Sequence, residues 1–421
     1  MLKAKWLLIA LVAGGVLLPR PAFADPSPAG LVLKTDFKIW TVNLRNVDLL
    51  SPYSKMQFKG VDVALKAEDL PLVKDYVEEK TVEGLDVLKL KDYLERKIAP
   101  DVLREKEDVK IELNADGKPV FTGSGLYGRK LDTVKAAFLL KKAIEEKIYY
   151  VNLPLVREEP LITISDSLKE KGIVELVSAG ETDFTGSPPN RINNVLTGLA
   201  KFNGYLVAQG EEFVFGNVLG PVDEKTGYKK ELVIKGDRTV PDYGGGLCQV
   251  STTLYRAILA GGFPVTKRKN HTYAVSYYLP IGLDATVYPP SADLKFINDL
   301  PGALLMQSFA IGNKAYWNFY GTRDQRKVHL IGPYYRDQTP PPPAKTEYTT
   351  KLAPGEKQVL GHAVPGLFSS WYRQVTYADP EKPVYFESIY SKYQARPDFV
   401  AIGVEPGKET PAGKSLLETT Y

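Results

Sequence analysis

The stretch that decides the central fold is Gly244-Gly245-Gly246-Leu247-Cys248-Gln249-Val250-Ser251-Thr252-Thr253-Leu254-Tyr255. Three consecutive glycines allow positive φ angles, so the backbone can make a tight turn there. From Gln249 to Gly261 the apolar residues recur at helical spacing, on a face made by Val250, Leu254, Ala257 and Ile258. The pattern therefore predicts a turn followed by a helix, with Cys248 at or near the helix N-terminus.

Cys248 is the only cysteine among 421 residues, so no disulfide can form within the chain. A helix N-terminus carries unpaired N–H groups and the positive end of the dipole, which favour an anion. That position lowers a thiol pKa and favours a thiolate nucleophile. The alternative is a small, buried cysteine that acts only as an apolar side chain.

The N-terminal 24 residues have the three parts of a secretory signal. Lys3 and Lys5 give a basic start, an apolar run follows from Trp6 to Leu18, and Ala22-Phe23-Ala24 fits a cleavage site. The apolar run is short for a membrane span, which needs about 20 residues. We therefore expect a signal peptide over 1–24 and an extracytoplasmic protein, which is secreted, periplasmic or associated with the cell wall. The alternative is an uncleaved anchor, the only case in which the membrane is a partner.

The charge balance gives no reason to expect nucleic acid as a partner. The chain has 54 Lys and Arg against 50 Asp and Glu, for a formal charge of +4. Loss of Lys3, Lys5 and Arg20 with the signal leaves 51 against 50. A nearly neutral chain lacks the basic excess that attracts a phosphate backbone.

The order of patterns predicts a multidomain α+β protein. Residues 34–177 are expected to form a small α+β domain and residues 178–335 a central mixed α+β domain. Pro340 to Pro343 stiffen a linker over 336–344, and residues 345–405 alternate like a small all-β module. The patterns do not indicate an oligomeric state.

Individual elements can be predicted within these regions. Helices are expected over Leu85 to Ile98, Leu131 to Ile148 and Arg191 to Phe202. Asp116-Gly117 predicts a hairpin turn between two strands. Further strands are expected over Tyr273 to Leu279 and Ala285 to Tyr288.

A cysteine nucleophile needs a base, and the base needs a group that orients it. His271 is the histidine inside the central domain, 23 residues after Cys248, and Asp284 follows it. Cys248, His271 and Asp284 would make a complete catalytic set. The alternatives are a surface histidine in a basic loop and a turn aspartate after Gly282.

Polar groups near the glycine turn could hold a reacting carbonyl. The backbone N–H groups of Cys248 and Gln249 are expected to face an oxyanion. Gln249, Ser251 and Thr252 could add side-chain donors, or Ser251 and Thr252 could cap the helix.

Zinc is the rival chemistry, with Cys248, His271, Asp284 and Asp242 as conceivable ligands. No CxxC or HExxH spacing is present. We therefore expect no metal and no cofactor.

Residues about 180–311 closely resemble the VanW family. The resemblance rests on stretches distributed through the central domain: Thr182 to Ser187, Asn190 to Asn194, Asn203-Gly204, Gly210 to Asn217, Gly244 to Tyr255, His271, and Gly282 to Val287. Two positions depart from the pattern, because Gly216 stands where Asn or Asp is expected and Thr272 where serine is usual. The resemblance implies a cell-envelope setting. We further expect a set of substrate-binding residues around the glycine turn and on the segment before it: Gly244, Gly245, Gly246, Gln249, Ser251, Thr252, Tyr255 and Asn217.

The flanking regions resemble wall-binding modules. Residues about 60–177 look like the peptidoglycan-binding module that often precedes VanW domains. Residues 345–405 are similar to a G5 module, an all-β unit linked with N-acetylglucosamine binding. The resemblances imply peptidoglycan, through its stem peptide or its glycan, as the partner.

Two functions follow from these expectations. In the first, Cys248 attacks an acyl or peptide carbonyl of a stem peptide while His271 shuttles the proton and Asp284 orients the ring, as in a transpeptidase or a cysteine peptidase. In the second, the protein is a non-catalytic wall protein, in which the glycine turn shapes a binding cleft above a packed Cys248.

Overall fold

The computed structural model describes residues 31–35, 37–43, 47–58, 61–63, 77–148, 150–235 and 238–409. The predicted signal over 1–24 lies outside these residues. The described chain is α+β, with many small sheets and short helices, as the sequence predicted. Within the described residues no helix is both long enough and apolar enough to span a bilayer.

The N-terminal region packs two amphipathic helices against each other and against short strands. The predicted helices are confirmed as Val87–Lys97 and Thr133–Glu145, which Asp86 and Asp132 cap by accepting backbone N–H bonds. Two shorter helices are Ala99–Val102 and Asp166–Lys169. The strands are Leu31–Lys34, Ile39–Val42, Leu50–Phe58, Val61–Val63, Glu78–Leu85, Glu107–Leu113, Pro119–Leu126, Gly128–Leu131, Tyr150–Asn152, Leu155–Glu158 and Ile162–Ile164.

The predicted hairpin is confirmed, and it packs on the central domain. Strands Glu107–Leu113 and Pro119–Leu126 pair antiparallel around the Asp116-Gly117 turn. Val109 and Ile111 of the hairpin share an apolar cluster with Tyr320 of the central sheet. The N-terminal region is therefore fixed to the central domain by buried contacts.

The central domain is built on a four-stranded antiparallel sheet. Its order is Glu175–Asp183, Lys314–Gly321, Leu304–Ile311 and Leu206–Val207. The main helices are Pro189–Phe202 and Leu247–Gly261, with a short helix at Phe215–Leu219 and single 3-10 turns at Glu224–Thr226 and Ser276–Tyr278. The remaining strands are Glu212–Val214, Lys230–Lys235, Arg238–Tyr243, Val265–Lys267 and Lys295–Ile297.

The helix Leu247–Gly261 is buried on nearly all sides because it lies close against the sheet. Its backbone approaches Gly180, where an added Cβ would stand 2.4 Å from the carbonyl oxygen of Thr253. The hydroxyls of Thr182 and Thr253 are hydrogen-bonded at 2.6 Å across the same contact. Only a glycine on the strand permits this approach, which fixes the height of the helix above the sheet.

The C-terminal region consists of two three-stranded sheets. In the first, Lys327–Thr339 pairs with Gly366–Thr376, which pairs in turn with Tyr385–Tyr393. The second contains Lys345–Thr349, Phe399–Gly403 and Lys357–Gly361.

The first of these sheets is continuous with the central domain. Strand Lys327–Thr339 runs through residue 335, and the proline run that follows it leads into the second sheet. Trp371 and Ile389 of the first sheet belong to the same apolar core as the helix Leu247–Gly261. The C-terminal strands therefore extend the central core.

Two predicted strands are wrong. Tyr273 to Leu279 contains the 3-10 turn Ser276–Tyr278, and Ala285 to Tyr288 makes only an isolated bridge from Tyr288 to Ala292. Side chains satisfy the backbone there in place of a ladder, because Thr252 accepts from the N–H of Ala285 and Ser251 donates to its carbonyl oxygen. Apolar alternation alone could not distinguish this arrangement from a strand.

Candidate active site

The glycine turn places Cys248 in the first turn of its helix, as predicted. Gly244 and Gly246 have φ angles of 82° and 117°, and Gly246 is the residue that precedes the helix. The N–H of Leu247 donates to the carbonyl oxygen of Gly244 at 2.9 Å, which closes the turn. The side chain of Asn194 donates to the carbonyl oxygen of Gly245 at 3.0 Å and holds the turn against the neighbouring helix.

The three predicted catalytic residues lie together. Nδ1 of His271 is 2.5 Å from Oδ2 of Asp284, and the same oxygen accepts the backbone N–H of His271 at 2.8 Å. The imidazole also lies near Cys248, close enough for each group to shift the pKa of the other. Because Nδ1 is taken by Asp284, Nε2 is the nitrogen that remains for the sulfur. His271 and Asp284 are buried, whereas Cys248 is partly exposed.

Opposing effects set the pKa of the Cys248 thiol. Burial raises this pKa, but the charge of His271 and its hydrogen bond lower it. The hydroxyl of Thr286, 3.5 Å from the sulfur, and the backbone of Val287 lower it further. The result is a pKa of about 7, below the ordinary value of 9.0. The thiol therefore ionises near neutral pH.

The pKa values of His271 and Asp284 shift in the directions that favour the charged forms of both groups. Burial lowers the pKa of His271, but the charge of Cys248 and the contacts with Asp284 raise it to about 10. Burial raises the pKa of Asp284, but its bond to His271 holds that pKa well below the usual range. Between about pH 7 and about pH 10 these pKa values favour a row of three charged groups: the Cys248 thiolate, the His271 imidazolium and the Asp284 carboxylate.

Three more side chains contact the row formed by Cys248, His271 and Asp284, and the sequence analysis did not find them. Arg268 donates from Nε to the carbonyl oxygen of Asp284 at 2.7 Å, and its Nη2 lies 3.4 Å from Oδ1. Tyr393 donates its phenol proton to the same Oδ1. The ring of Tyr278 stacks on His271 with the centroids 4.7 Å apart. Tyr393 lies 109 positions beyond Asp284, so no local pattern could indicate it.

The predicted polar residues of the helix mostly serve the framework. Gln249 is fully buried and accepts from Arg191 at 2.9 Å, and its backbone N–H donates to the carbonyl oxygen of Gly246. The expectation that this N–H faces an oxyanion is therefore wrong, because the helical turn already uses it. Ser251 and Thr252 hold Ala285, and through it they hold the loop that carries Asp284.

The other two predicted substrate-binding residues lie in different surroundings. Tyr255 is buried in the core beneath the guanidinium of Arg268, 5.2 Å from its ring centroid. Asn217 is exposed on the short helix Phe215–Leu219. Across the described ranges no hydrogen bond joins Asn217 to Cys248. A substrate-binding role for Asn217 remains a prediction.

A basic cavity of about 410 Å³ opens between the N-terminal region and the central domain. Its wall includes four arginines and one carboxylate: Arg104, Arg129, Arg157, Arg256 and Glu181. Arg104 and Arg129 share one oxygen of Glu181, at 2.6 and 2.7 Å. Burial raises the pKa of this carboxyl, but the two guanidiniums hold it below its usual value. Two positive charges facing one negative charge leave the wall net positive.

The cavity is linked structurally to the row of Cys248, His271 and Asp284 through Arg256 and Tyr278. Nη2 of Arg256 donates to the carbonyl oxygens of Tyr278 and Leu279 at 3.0 and 2.7 Å, and the ring of Tyr278 stacks on His271. A second cavity of about 330 Å³ shares Arg256 and Glu181 with the first and reaches Tyr277. Among the described residues, no three His, Cys, Asp or Glu side chains are grouped as metal ligands would be.

Comparison with known proteins places the central domain in a family. The family profile described as "VanW like protein" matches residues 190–320. The uncharacterized protein YoaR of Bacillus subtilis is 31% identical over 142 residues, which is 34% of this chain and 46% of YoaR. The vancomycin B-type resistance protein VanW of Enterococcus faecalis is 30% identical over 115 residues, which is 26% of this chain and 42% of that protein.

The matched part spans less than half the length of these two relatives. The crystal structure of HP0197-G5 is 15% identical to this chain with a TM-score of 0.10, covering 19% of this chain and 96% of that one. The range matched by the family profile contains the glycine turn, Cys248, His271 and Asp284. Residues 190–320 therefore carry a VanW-like domain, which confirms the predicted resemblance of the central domain to that family.

Proposed function

We propose that this protein is an exported cell-envelope enzyme in which Cys248 is the nucleophile of acyl transfer on peptidoglycan stem peptides. The observation that carries the proposal is the row of sulfur, imidazole and carboxylate. Nδ1 of His271 is 2.5 Å from Oδ2 of Asp284, and the imidazole lies near enough to Cys248 for their charges to interact. A nucleophile, a base and an orienting group in contact are what cysteine catalysis requires.

The first step forms a thioester. The thiolate of Cys248 attacks the carbonyl carbon of a peptide bond, so a carbon–sulfur bond forms. When the tetrahedral intermediate collapses, the carbon–nitrogen bond breaks, and the imidazolium of His271 gives its Nε2 proton to the leaving amine. Asp284 stays ionised throughout and stabilises the imidazolium.

The second step releases the acyl group. Either water or a second amine attacks the thioester, His271 takes its proton, and the thiolate leaves. Attack by water cuts a stem peptide, whereas attack by an amine makes a cross-link. Both outcomes return the sulfur and the imidazolium to their starting states.

An acidic peptide substrate suits the charge of the basic cavity. The cavity wall carries Arg104, Arg129, Arg157 and Arg256 against Glu181. Stem peptides present free carboxylates, which guanidinium groups bind as bidentate pairs. The Enterococcus faecalis relative is named for vancomycin resistance, which supports a setting in the cell wall for this chain too.

The test uses purified stem-peptide fragments and mass spectrometry. The full chain is expected to change the fragments and to carry an acyl adduct on Cys248. Cys248→Ala removes both signals, whereas His329→Gln, a change at an exposed histidine, keeps both. Full activity of Cys248→Ala would show that another group is the nucleophile.

A non-catalytic wall-binding protein is the second candidate. Its support is the partial burial of Cys248, whose sulfur lies 3.5 Å from the Thr286 hydroxyl and 3.8 Å from the carbonyl oxygen of Val287. A sulfur that serves only as packing reacts with a thiol reagent only after unfolding. Fast alkylation of the folded chain near neutral pH favours the enzyme.

A further inference from the structure

We propose that the C-terminal β-sheet is a built-in part of the catalytic site, and that Tyr393 is the positioning residue through which this sheet holds Asp284 and, through Asp284, His271. The inference rests on the proposed catalytic role of Cys248. It assigns the C-terminal sheet a role in the chemistry itself.

The two oxygens of Asp284 are bound from opposite directions. Oδ2 accepts the N–H and Nδ1–H of His271, while Oδ1 accepts from Tyr393 and lies near Arg268. With both oxygens occupied, the carboxylate cannot turn about its Cβ–Cγ bond without losing a partner. By binding Oδ1, the phenol of Tyr393 fixes the orientation of the carboxylate, and with it the position of Oδ2, which orients the imidazole.

The strand that carries Tyr393 faces the site with alternate side chains. Along Tyr385–Tyr393 the buried residues are Ile389, Ser391 and Tyr393, while Tyr390 is 53% exposed. Ile389 enters the central core, and Ser391 donates to the carbonyl oxygen of Gly282 at 3.0 Å. The inward face of the strand therefore contacts both the central core and the loop that bears Asp284.

The C-terminal strands also hold the backbone on both sides of the row. On the His271 side, the N–H of Gln394 donates to the carbonyl oxygen of Thr272 at 2.8 Å, and Asn270 donates to that of Lys392 at 2.9 Å. On the Asp284 side, Trp371 donates from Nε1 to the carbonyl oxygen of Ile281 at 2.9 Å. These bonds make the sheet the common support of both loops.

Gly282 shows how closely the sheet approaches. Its φ is 105°, and an added Cβ would stand 2.4 Å from the hydroxyl of Ser369 and 2.8 Å from the ring of Trp371. The loop therefore lies directly on the sheet, two residues before Asp284, with no room for a side chain between them. A loosely tethered binding module would not require this contact.

The phenol of Tyr393 also affects the charges of Asp284 and His271. Burial raises the pKa of Tyr393, so the phenol remains a donor across the working range of the site. A donor on Oδ1 stabilises the ionised carboxylate, which in turn stabilises the imidazolium beside Cys248. Other ionisable groups near this row are Arg268, Tyr278, Tyr255 and Arg191, and all of them stay unchanged when only the phenol is removed.

The test compares Tyr393→Phe with Tyr390→Phe in the full chain. Tyr390 lies on the same strand, points outward, and is the matched control. Tyr393→Phe is expected to raise the midpoint pH for alkylation of Cys248 by roughly half to one unit, which lowers the rate at pH 7 by up to about fivefold. It is also expected to lower kcat on stem peptides with little change in KM. Tyr390→Phe keeps the wild-type values.

A second readout separates positioning from simple destabilisation. The Nδ1 proton of His271, held by Asp284, is expected to give a low-field proton NMR signal. In Tyr393→Phe this signal shifts or broadens while the melting curve still shows a folded chain, whereas Tyr390→Phe keeps it. An unchanged midpoint and an unchanged signal in Tyr393→Phe would overturn the inference.

The two proposals fail in different ways. If wild-type Cys248 titrates at the ordinary thiol value and reacts only after unfolding, the catalytic proposal fails, and this inference fails with it. If the wild-type thiol titrates near neutral pH and Tyr393→Phe matches it in every readout, only the inference about the sheet fails.

Discussion

At the level of single residues, the reactivity of Cys248 depends on a competition between burial and charge. Burial favours the neutral thiol, whereas His271 favours the thiolate, and His271 prevails to give a pKa of about 7. One pKa unit corresponds to about 1.4 kcal/mol, so a shift of this size requires a charged partner in contact. The imidazole is therefore the group whose removal should change the thiol most.

His271→Gln should return the Cys248 pKa to its ordinary value of 9.0 or above, because burial then acts without an opposing charge. At pH 7 the alkylation rate should fall by roughly two orders of magnitude, in proportion to the thiolate fraction. The measurement is the iodoacetamide rate against pH. His329→Gln, at an exposed histidine, should keep the wild-type profile. An unshifted midpoint in His271→Gln would contradict the pairing.

The same pKa shifts predict how stability depends on pH. The pKa of Cys248 is lowered from 9.0 to about 7, so its contribution is full above 9.0 and is lost as pH falls through about 7. The pKa of His271 is raised from 6.5 to about 10, so its contribution is full below 6.5 and is lost as pH rises through about 10. The stability advantage of wild type over His271→Gln should therefore shrink as pH rises towards about 10. Urea unfolding across that range measures it, and a constant difference would contradict the raised pKa.

The core of the site could be found from single residues, but its support could not. Cys248, His271 and Asp284 lie within one domain, each with a recognisable chemical role. Arg268 was visible in the loop before His271, yet its bonds to Asp284 depend on how the loop folds. Tyr393 comes from a separate region and looks like any tyrosine of a β-strand. Contacts between distant segments are set by packing, which spacing along the chain does not record.

At the level of secondary-structure elements, the position of the Leu247–Gly261 helix depends on its close approach to strand Glu175–Asp183. Gly180→Ala would place a Cβ 2.4 Å from the carbonyl oxygen of Thr253. We expect a loss of about 2–3 kcal/mol in unfolding free energy, because backbone atoms must move to make room. Urea unfolding measures the loss.

Gly186→Ala is the control for that change. Gly186 has a φ of 82° and open space where its Cβ would be, so alanine there costs only backbone strain, about 1 kcal/mol. Equal losses for the two variants would show that the contact between helix and strand is not tight.

Helices were predictable because apolar spacing and caps are local. The helix predicted from Leu85 to Ile98 is found at Val87–Lys97, and Asp86 caps it. The segment Tyr273 to Leu279 failed because its backbone is fixed by a side chain of another element: Arg256 donates to the carbonyl oxygens of Tyr278 and Leu279. A strand requires a neighbouring strand, and a single sequence does not show whether one is present.

At the level of the whole molecule, the C-terminal sheet and the central domain share a core. A chain ended at residue 335 cuts strand Lys327–Thr339 and removes its partner strand, together with Trp371 and Ile389 from the core. We expect this chain to unfold or aggregate. A chain ended at residue 405 keeps all the C-terminal strands that the structure describes and should remain folded. Circular dichroism and thermal melting distinguish the two.

A stable chain ended at 335 with a reactive Cys248 would contradict the shared core.

Export is the other prediction for the whole molecule. The basic start, the apolar run and Ala22-Phe23-Ala24 predict that the mature chain begins at Asp25. N-terminal sequencing of protein expressed from the full reading frame measures this. A chain that keeps residues 1–24 and sediments with membranes would instead indicate an uncleaved anchor.

The most direct test of the account is titration of the Cys248 sulfur itself. The ultraviolet absorbance of a thiolate, taken as the difference between the full chain and Cys248→Ser, reports ionisation without any reagent. We expect the Cys248 thiol to ionise with a midpoint near pH 7 in the folded protein, because the charge of His271 lowers its pKa. A midpoint at or above the ordinary value of 9.0 would mean that the sulfur is a packed side chain and that the row is not catalytic.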